Sequence, residues 1–218
     1  AHDPTPHPGD RPSQKTPHFV IRAGFRCATE LIVHGQYLKQ LLLQKHRIEP
    51  QNVHVIPHIA LGDAAARPEV AEREHQILFF GRIWRYKGLE YLIEAAPLIT
   101  ARVPEAKIVI AGIGEDFDRY RRLMKNPETF VVYNEYISNE KQSELFRQSS
   151  LIVLPYIEAS QSGVIPLAYT FSKPVVATTV GALPEMVEDG GTGYLVPPCD
   201  VPALADAVVR VLLDRDLR

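Results

Sequence analysis

The stretch QILFFGRIWRYKGLEYLIEAAPL, residues 76–98, decides the fold of this chain. Its apolar run Gln76–Phe80 predicts a short buried strand, and the pattern from Leu89 onward predicts an amphipathic helix. Arg82 and Lys87 lie in the turn between them. Two cations beside a helix N-terminus suit a dianion such as a diphosphate. The stretch therefore predicts a strand–turn–helix unit with a phosphate site at its turn.

The same alternation of short apolar runs and helical segments continues to the end of the chain. Further strands are predicted at AKIVIAG (106–112), TFVVY (129–133), LIVLP (151–155) and PVVAT (174–178), and helices at 89–103, 116–124, 141–148, 163–171 and 201–213. This alternation predicts an α/β fold, a Rossmann-like parallel sheet with helices on both faces. Such sheets bind ligands outside the carboxyl ends of their strands, so residues that directly follow a strand become candidates.

The N-terminal part of the chain is organised differently. Five prolines within residues 1–17 predict an extended loop. Helices are predicted at 19–28 and 37–46 and strands at 30–34 and 53–56, which indicates part of a second Rossmann-like domain. We therefore divide the chain into a domain remnant (1–60), an Ala-, Pro- and charge-rich linker (61–75) and a main domain (76–218) that is truncated at its C-terminus.

Composition limits the classes of function. The formal net charge of −2 gives no basic excess for nucleic acid. The two cysteines, Cys27 and Cys199, lie far apart and form no disulfide framework or metal pair, which favours a reducing, cytoplasmic setting. We find no signal peptide and no apolar run long enough to span a membrane. Peripheral membrane association of the full-length protein stays open.

A second segment, EASQSGVIPLAYTFSKPVVATTVGALPEMVEDGGTGYLV (158–196), carries further candidates. Glu158 follows the strand LIVLP, and Gly181 follows PVVAT. Ser162 is a preferred type of helix cap, and Gly163 leaves room for a ligand at the helix start. An ordinary capped helix explains this pattern about equally well.

The pair Gly112 and Gly114 follows the second strand of the main domain. A GxG turn lets the backbone approach a ligand closely, but the third glycine of a dinucleotide fingerprint is missing because position 117 is Phe. A tight turn alone accounts for the pair equally well. A site for NAD is not expected.

The two segments, in this order, resemble the donor-binding half of the retaining GT-B glycosyltransferases of the group 1, family 4 type, which include sucrose and glycogen synthases. The resemblance covers about residues 77–213. It implies that the main domain is a GT-B C-terminal domain and that residues 1–60 are the end of the N-terminal, acceptor-side domain. It also implies transfer of a sugar from a nucleotide-sugar donor to a hydroxyl of a carbohydrate or lipid-linked acceptor, with retention and without a metal or other cofactor. This chain alone is then expected to be inactive.

The resemblance also implies roles for individual residues. Arg82 and Lys87 would hold the diphosphate and stabilise the leaving group, Glu158 would take the place of the family's first glutamate, and His2 would face the transferred sugar. The expected donor-binding residues are Gly81, Gly112, Gly114, Gln161, Ser162, Gly163, Val164 and Gly181. Glu185 is expected to cap or charge-balance a helix start.

One departure from the family pattern keeps two alternatives open. Leu167 stands where most members carry a second glutamate, which usually binds the ribose hydroxyls. A nucleotide-sugar binding module without turnover is one alternative. A sugar-nucleotide epimerase with the GT-B fold is the other, although the main domain shows no clear acid–base pair for it.

Overall fold

The computed structural model describes residues 18–59, 71–114 and 116–214. The predicted site residue His2 lies outside these ranges, as does most of the predicted linker. Within the described ranges, none of the helices combines the length and the apolar character that a bilayer span requires.

The N-terminal part forms a small α/β unit. It contains helices α1 (His18–Cys27) and α2 (Gln36–Lys45) and strands β1 (Leu31–Val33) and β2 (Val53–Val55). The two strands pair in parallel, as Rossmann-like topology requires. A separate apolar cluster of Phe25, Val33, Leu38, Leu42 and Val53 holds the unit together. The division of the chain at residues 60 and 75 stays a prediction.

The main body is a six-stranded, wholly parallel sheet with the order β5-β4-β3-β6-β7-β8. Its strands are β3 (Gln76–Phe80), β4 (Lys107–Ala111), β5 (Phe130–Tyr133), β6 (Leu151–Leu154), β7 (Val175–Thr178) and β8 (Gly193–Val196). Its helices are α3 (Leu89–Thr100), α4 (Asp118–Arg121), α5 (Asn139–Gln148), α6 (Val164–Thr170) and α7 (Val201–Leu213). The predicted Rossmann-like α/β fold is confirmed.

Helices cover both faces of the sheet, because successive residues of a central strand point to opposite faces and both faces are apolar. Ile77 and Phe79 of β3 pack into one apolar cluster with α3 and α7, whereas Leu78 packs into a second cluster with α5 and α6. A strand that is buried on both faces needs a continuous apolar run, and all four residues of β6 are buried.

The strand order places one crevice in the sheet. Counted from β3, the order is the 3-2-1-4-5-6 arrangement of dinucleotide-binding folds, in which the chain winds outward in opposite directions from the first and fourth strands. These are β3 and β6, neighbours at the centre of the sheet. The turn after β3 and the segment after β6 therefore meet at the switch point, where ligands of this architecture bind.

Two sequence-based expectations on secondary structure were wrong. The helix expected over 116–124 is only Asp118–Arg121, because its flanks form three-residue turns such as Leu123 N–H to Tyr120 O, and Pro127 follows shortly after. β8 was not predicted, because it follows the run EDGGT (188–192) and itself begins with Gly193. The sheet defines this strand by pairing it with β7.

Candidate functional site

The turn after β3 is fixed against the segment after β6. Residues Arg85–Lys87 form one 3-10 turn, and Gly88 then adopts φ 63°. A Cβ on Gly88 would stand 1.9 Å from the Pro155 carbonyl oxygen, so only glycine permits this approach. The Ile157 N–H also donates to the Tyr86 carbonyl, at 2.8 Å. The predicted phosphate turn is therefore held rigidly at the switch point.

Tyr156 links the predicted cations to the other side of the crevice. Its side chain is 1% exposed, and the Lys87 Nζ lies 3.7 Å from its ring centroid. Burial raises the pKa of the Tyr156 hydroxyl well above its usual range, and contact with Ser162 and the charge of Arg82 offset a part of this shift. The Tyr156 and Ser162 hydroxyl oxygens lie 3.4 Å apart. Arg82, Lys87 and Ser162 thus share one buried neighbour.

The start of α6 differs by one position from the predicted arrangement. The Ser162 Oγ accepts the Val164 N–H at 3.2 Å, but the N-cap of the seven-residue helix α6 is Gly163, so Ser162, the predicted cap, lies one position before it. Gly163 is exposed, and the Val164 side chain lies 4.0 Å from the Cβ position of Gly81. The helix start and the end of β3 therefore face each other.

Two polar side-chain atoms near the crevice are buried without a hydrogen-bond partner among the described residues. They are the indole Nε1 of Trp84, in the turn after β3, and the amide Oε1 of Gln161, just before α6. A buried polar group without a partner costs about 1–3 kcal/mol. A ligand or a water molecule in the crevice could satisfy both.

The remaining predicted residues lie along the same carboxyl edge. Glu158 is exposed, and its N–H is 3.5 Å from the Tyr86 carbonyl oxygen. Gly112 and Gly114 pack against the backbone of 81–83, with a Cβ on Gly112 only 1.9 Å from the Gly81 oxygen. Gly181 has φ 57° and packs against the Ala159 carbonyl. Close backbone packing is thus sufficient to explain these glycines, and their ligand roles stay predictions.

Leu167 packs in the apolar interior of the main body. Its side chain is 7% exposed and belongs to the apolar cluster beneath the crevice, together with Tyr156, Ile165 and Ala168. The family's second carboxylate therefore has no counterpart at this position, and an apolar contact takes its place.

Glu185 caps a helix, but not one in its own domain. Its two carboxylate oxygens accept the backbone N–H groups of Gln36 and Tyr37, each at 2.6 Å, at the start of α2. The N-cap of α2 is Gly35, which has no side chain to serve as a cap. Sequence analysis found the type of role but not the partner, because the bonded residues are 148 and 149 positions away.

Sequence analysis also missed Tyr156, His34 and His58. Tyr156 directly follows LIVLP at the carboxyl edge, which is the signal that could have found it. The two histidine rings lie 5.0 Å apart, between centroids, and His58 approaches Gly163. Within the described residues, no three His, Cys, Asp or Glu side chains come together as a metal site would need.

A parallel sheet of this order, with two cations at its switch point, is the architecture of the donor-binding domain of GT-B glycosyltransferases. Residues 74–214 match the model of the family described as glycosyl transferases group 1. The chain is also 31% identical to the alpha-D-kanosaminyltransferase of Streptomyces kanamyceticus over 213 residues, which cover 92% of this chain. The chain belongs to this glycosyl transferase family.

Solved structures agree with the fold. Sucrose-phosphate synthase from Thermosynechococcus elongatus superposes with a TM-score of 0.74 at 23% identity, covering 91% of this chain and 53% of that one. A TarM variant from S. aureus, in complex with Fondaparinux, alpha-GlcNAc-glycerol and UDP, gives a TM-score of 0.73 at 20% identity, covering 90% and 39%. The chain spans about half the length of its curated relatives, with 55% of the kanosaminyltransferase covered.

Proposed function

We propose that this chain is the donor-binding part of a retaining glycosyltransferase, which transfers a sugar from a nucleotide-sugar to an acceptor hydroxyl. One observation carries the proposal: the turn bearing Arg82 and Lys87 is fixed at the switch point of a group 1 family domain, with Lys87 on the Tyr156 ring. The UDP in the TarM complex supports a nucleoside diphosphate as the leaving group.

Arg82 and Lys87 would act on the diphosphate. Arg can grip phosphate oxygens through two parallel hydrogen bonds, and Lys provides a mobile point charge. Both would stabilise negative charge as the bond between the sugar and the phosphate breaks, so the proposed reaction does not depend on a metal ion. Tyr156 stays neutral and supports the Lys87 ammonium through its ring.

The proposed transfer proceeds on one face of the sugar. The bond from the anomeric carbon to the phosphate oxygen breaks, the acceptor oxygen forms the new bond on the same face, and its proton passes to the departing phosphate. Retention then needs no covalent enzyme intermediate. Gln161 and Trp84, whose buried Oε1 and Nε1 atoms lack partners among the described residues, are candidates for binding the donor beside the cations.

Calorimetric titration with nucleoside diphosphates tests the phosphate site. UDP and GDP serve as probes, and uridine and guanosine serve as ligands without phosphate. Arg82→Ala should weaken binding of the preferred diphosphate by about 1.5–3 kcal/mol, the range for a charged hydrogen-bond partner. Binding of the nucleoside should stay unchanged.

Arg85→Ala is the matched control, because Arg85 is an exposed cation in the same turn whose charge acts on Tyr120 of α4. It should retain diphosphate affinity. Equal losses for the nucleoside and the diphosphate in Arg82→Ala would mean that Arg82 maintains the fold and does not grip phosphate. For the full-length protein, product analysis should show a transferred sugar with retained configuration, and an epimerised donor would contradict the proposal.

A further inference from the structure

The side chain of His58 brings the N-terminal unit to the edge of the candidate site. His58 follows β2, and its Nε2 and Cε1 atoms both lie 3.6 Å from the position that a Cβ on Gly163 would occupy. Gly163 directly precedes α6. The His58 residue is half-buried, and the edge of its ring that bears Nε2 lies beside the exposed Gly163.

The hydrogen bonding of His58 fixes which nitrogen faces the crevice as an acceptor. Its Nδ1 lies 2.9 Å from the Ile59 carbonyl oxygen. A carbonyl oxygen only accepts, so Nδ1 must carry the hydrogen, and Nε2 of the neutral ring is then an acceptor. The edge of His58 that faces Gly163 therefore offers a lone pair.

Among the residues that the structure describes, none requires a glycine at position 163. Its φ of −73° and ψ of −9° are open to any residue. A Cβ would make only ordinary contact, at 3.6 Å, with His58. Backbone strain and steric exclusion therefore do not require glycine here. The missing side chain leaves a gap of about one methyl group between Gly163 and the His58 ring, and Gly163 is exposed, so a ligand hydroxyl can approach the ring there.

The position of His58 is fixed from the main domain. Glu185 binds the start of α2, which directly follows His34 and Gly35. The His34 Nδ1 donates to the Ile56 carbonyl at 3.0 Å, and the His34 ring packs against His58. Contacts from Glu185 through His34 thus hold His58 beside Gly163.

We propose that His58 is a specificity-determining residue of the donor site, whose Nε2 accepts a hydrogen bond from a hydroxyl of the donor sugar. This inference rests on the proposed function. Continuous contacts run from Lys87 through Tyr156 and Ser162 to Gly163, so His58 borders the space next to the proposed diphosphate site. Sugar hydroxyls can donate to a neutral Nε2, whereas ionised phosphate oxygens cannot.

The test compares each diphosphate with its sugar conjugate, using UDP with UDP-glucose and GDP with GDP-mannose. Titrations use the chain of 218 residues. His58→Phe keeps a ring against His34 and removes both nitrogens. It should weaken binding of the preferred nucleotide-sugar by about 2- to 13-fold, equivalent to one hydrogen bond of 0.5–1.5 kcal/mol. Binding of the matching diphosphate should stay unchanged. His58→Gln, which restores an acceptor, should recover part of the loss.

His54→Phe is the matched control, because His54 is an exposed histidine on β2 that pairs with Glu30. It should bind both ligands as the unmodified chain does. Equal loss of diphosphate and nucleotide-sugar affinity in His58→Phe, or no loss at all, would overturn the role of His58. Arg82→Ala, measured in parallel, separates the two proposals. If diphosphate binding does not depend on Arg82, the proposed function itself is wrong.

Discussion

Glu185→Ala should release the start of α2. The substitution removes the acceptor of two backbone N–H groups, those of Gln36 and Tyr37. Gly35 cannot replace it, because the N-cap residue of α2 lacks a side chain. A lost helix cap costs about 0.5–2 kcal/mol. The lost charge at a helix N-terminus adds about 0.3–1 kcal/mol. We therefore expect the free energy of unfolding of the N-terminal unit to fall by about 1–3 kcal/mol.

NMR-detected hydrogen exchange measures this effect at the two amides concerned. In the unmodified chain, the amides of Gln36 and Tyr37 should be protected, and in Glu185→Ala they should exchange at the rates of unpaired helix-start amides. Urea denaturation gives the accompanying loss of stability. Glu185→Gln keeps one acceptor oxygen, replaces the other with an NH2 group that cannot accept, and removes the charge. It should therefore release one of the two amides and lose less stability than Glu185→Ala.

Two further variants sharpen the result. Gly35→Ala places a Cβ 3.0 Å from the Glu185 Oε2 and 3.1 Å from the Ala182 Cβ, so the carboxylate must shift slightly and the same amides should lose part of their protection, less than in Glu185→Ala. Glu188→Ala, an exposed carboxylate three residues further along, should change stability by less than about 0.5 kcal/mol. Unchanged exchange of Gln36 and Tyr37 in Glu185→Ala would refute the capping argument.

Substitutions at two other positions, Leu167 and Tyr156, test the packing of the apolar interior near the site. Leu167→Glu should lower the free energy of unfolding by about 3–5 kcal/mol, because it buries an uncompensated charge, and urea denaturation measures this loss. Leu167→Met should lower it by less than about 1.5 kcal/mol. A Leu167→Glu variant as stable as the unmodified chain would contradict the packing. Burial raises the Tyr156 pKa in the folded chain, whereas the unfolded tyrosine ionises near pH 10, so stability should fall as the pH rises above about 10. Tyr156→Phe should remove that part of the alkaline loss, and an unchanged pH profile would contradict it.

The main domain could be predicted from sequence because each central strand is buried on both faces. Such a strand must be a continuous apolar run, and LIVLP or QILFF stands out against the charged helices between them. The position of the candidate site followed from the same fact. Parallel strands all end at one edge, so residues following the strands had to come together there.

Pairings between distant segments could not be predicted in this way. The bonds from Glu185 to α2 depend on how the N-terminal unit sits against the main domain, and no local pattern encodes that arrangement. His58 lacked a signal for the same reason, because its significance comes from Gly163, which is more than a hundred residues away. β8 is defined as a strand by its pairing with β7, which the local sequence does not encode.

The turn 181–185 shows how the predicted and the unpredicted parts of the site depend on one another. At one end, a Cβ on Gly181 would stand 1.8 Å from the Ala159 oxygen, and the Ala182 N–H donates to the Ser160 carbonyl at 3.1 Å. At the other end, Glu185 binds the start of α2. The segment that carries Glu158 through Gly163 is thus joined to the N-terminal unit through one short turn, whose Ala182 and Leu183 are buried. A displacement of that segment would also displace the helix cap, and with it the His34–His58 pair that faces Gly163.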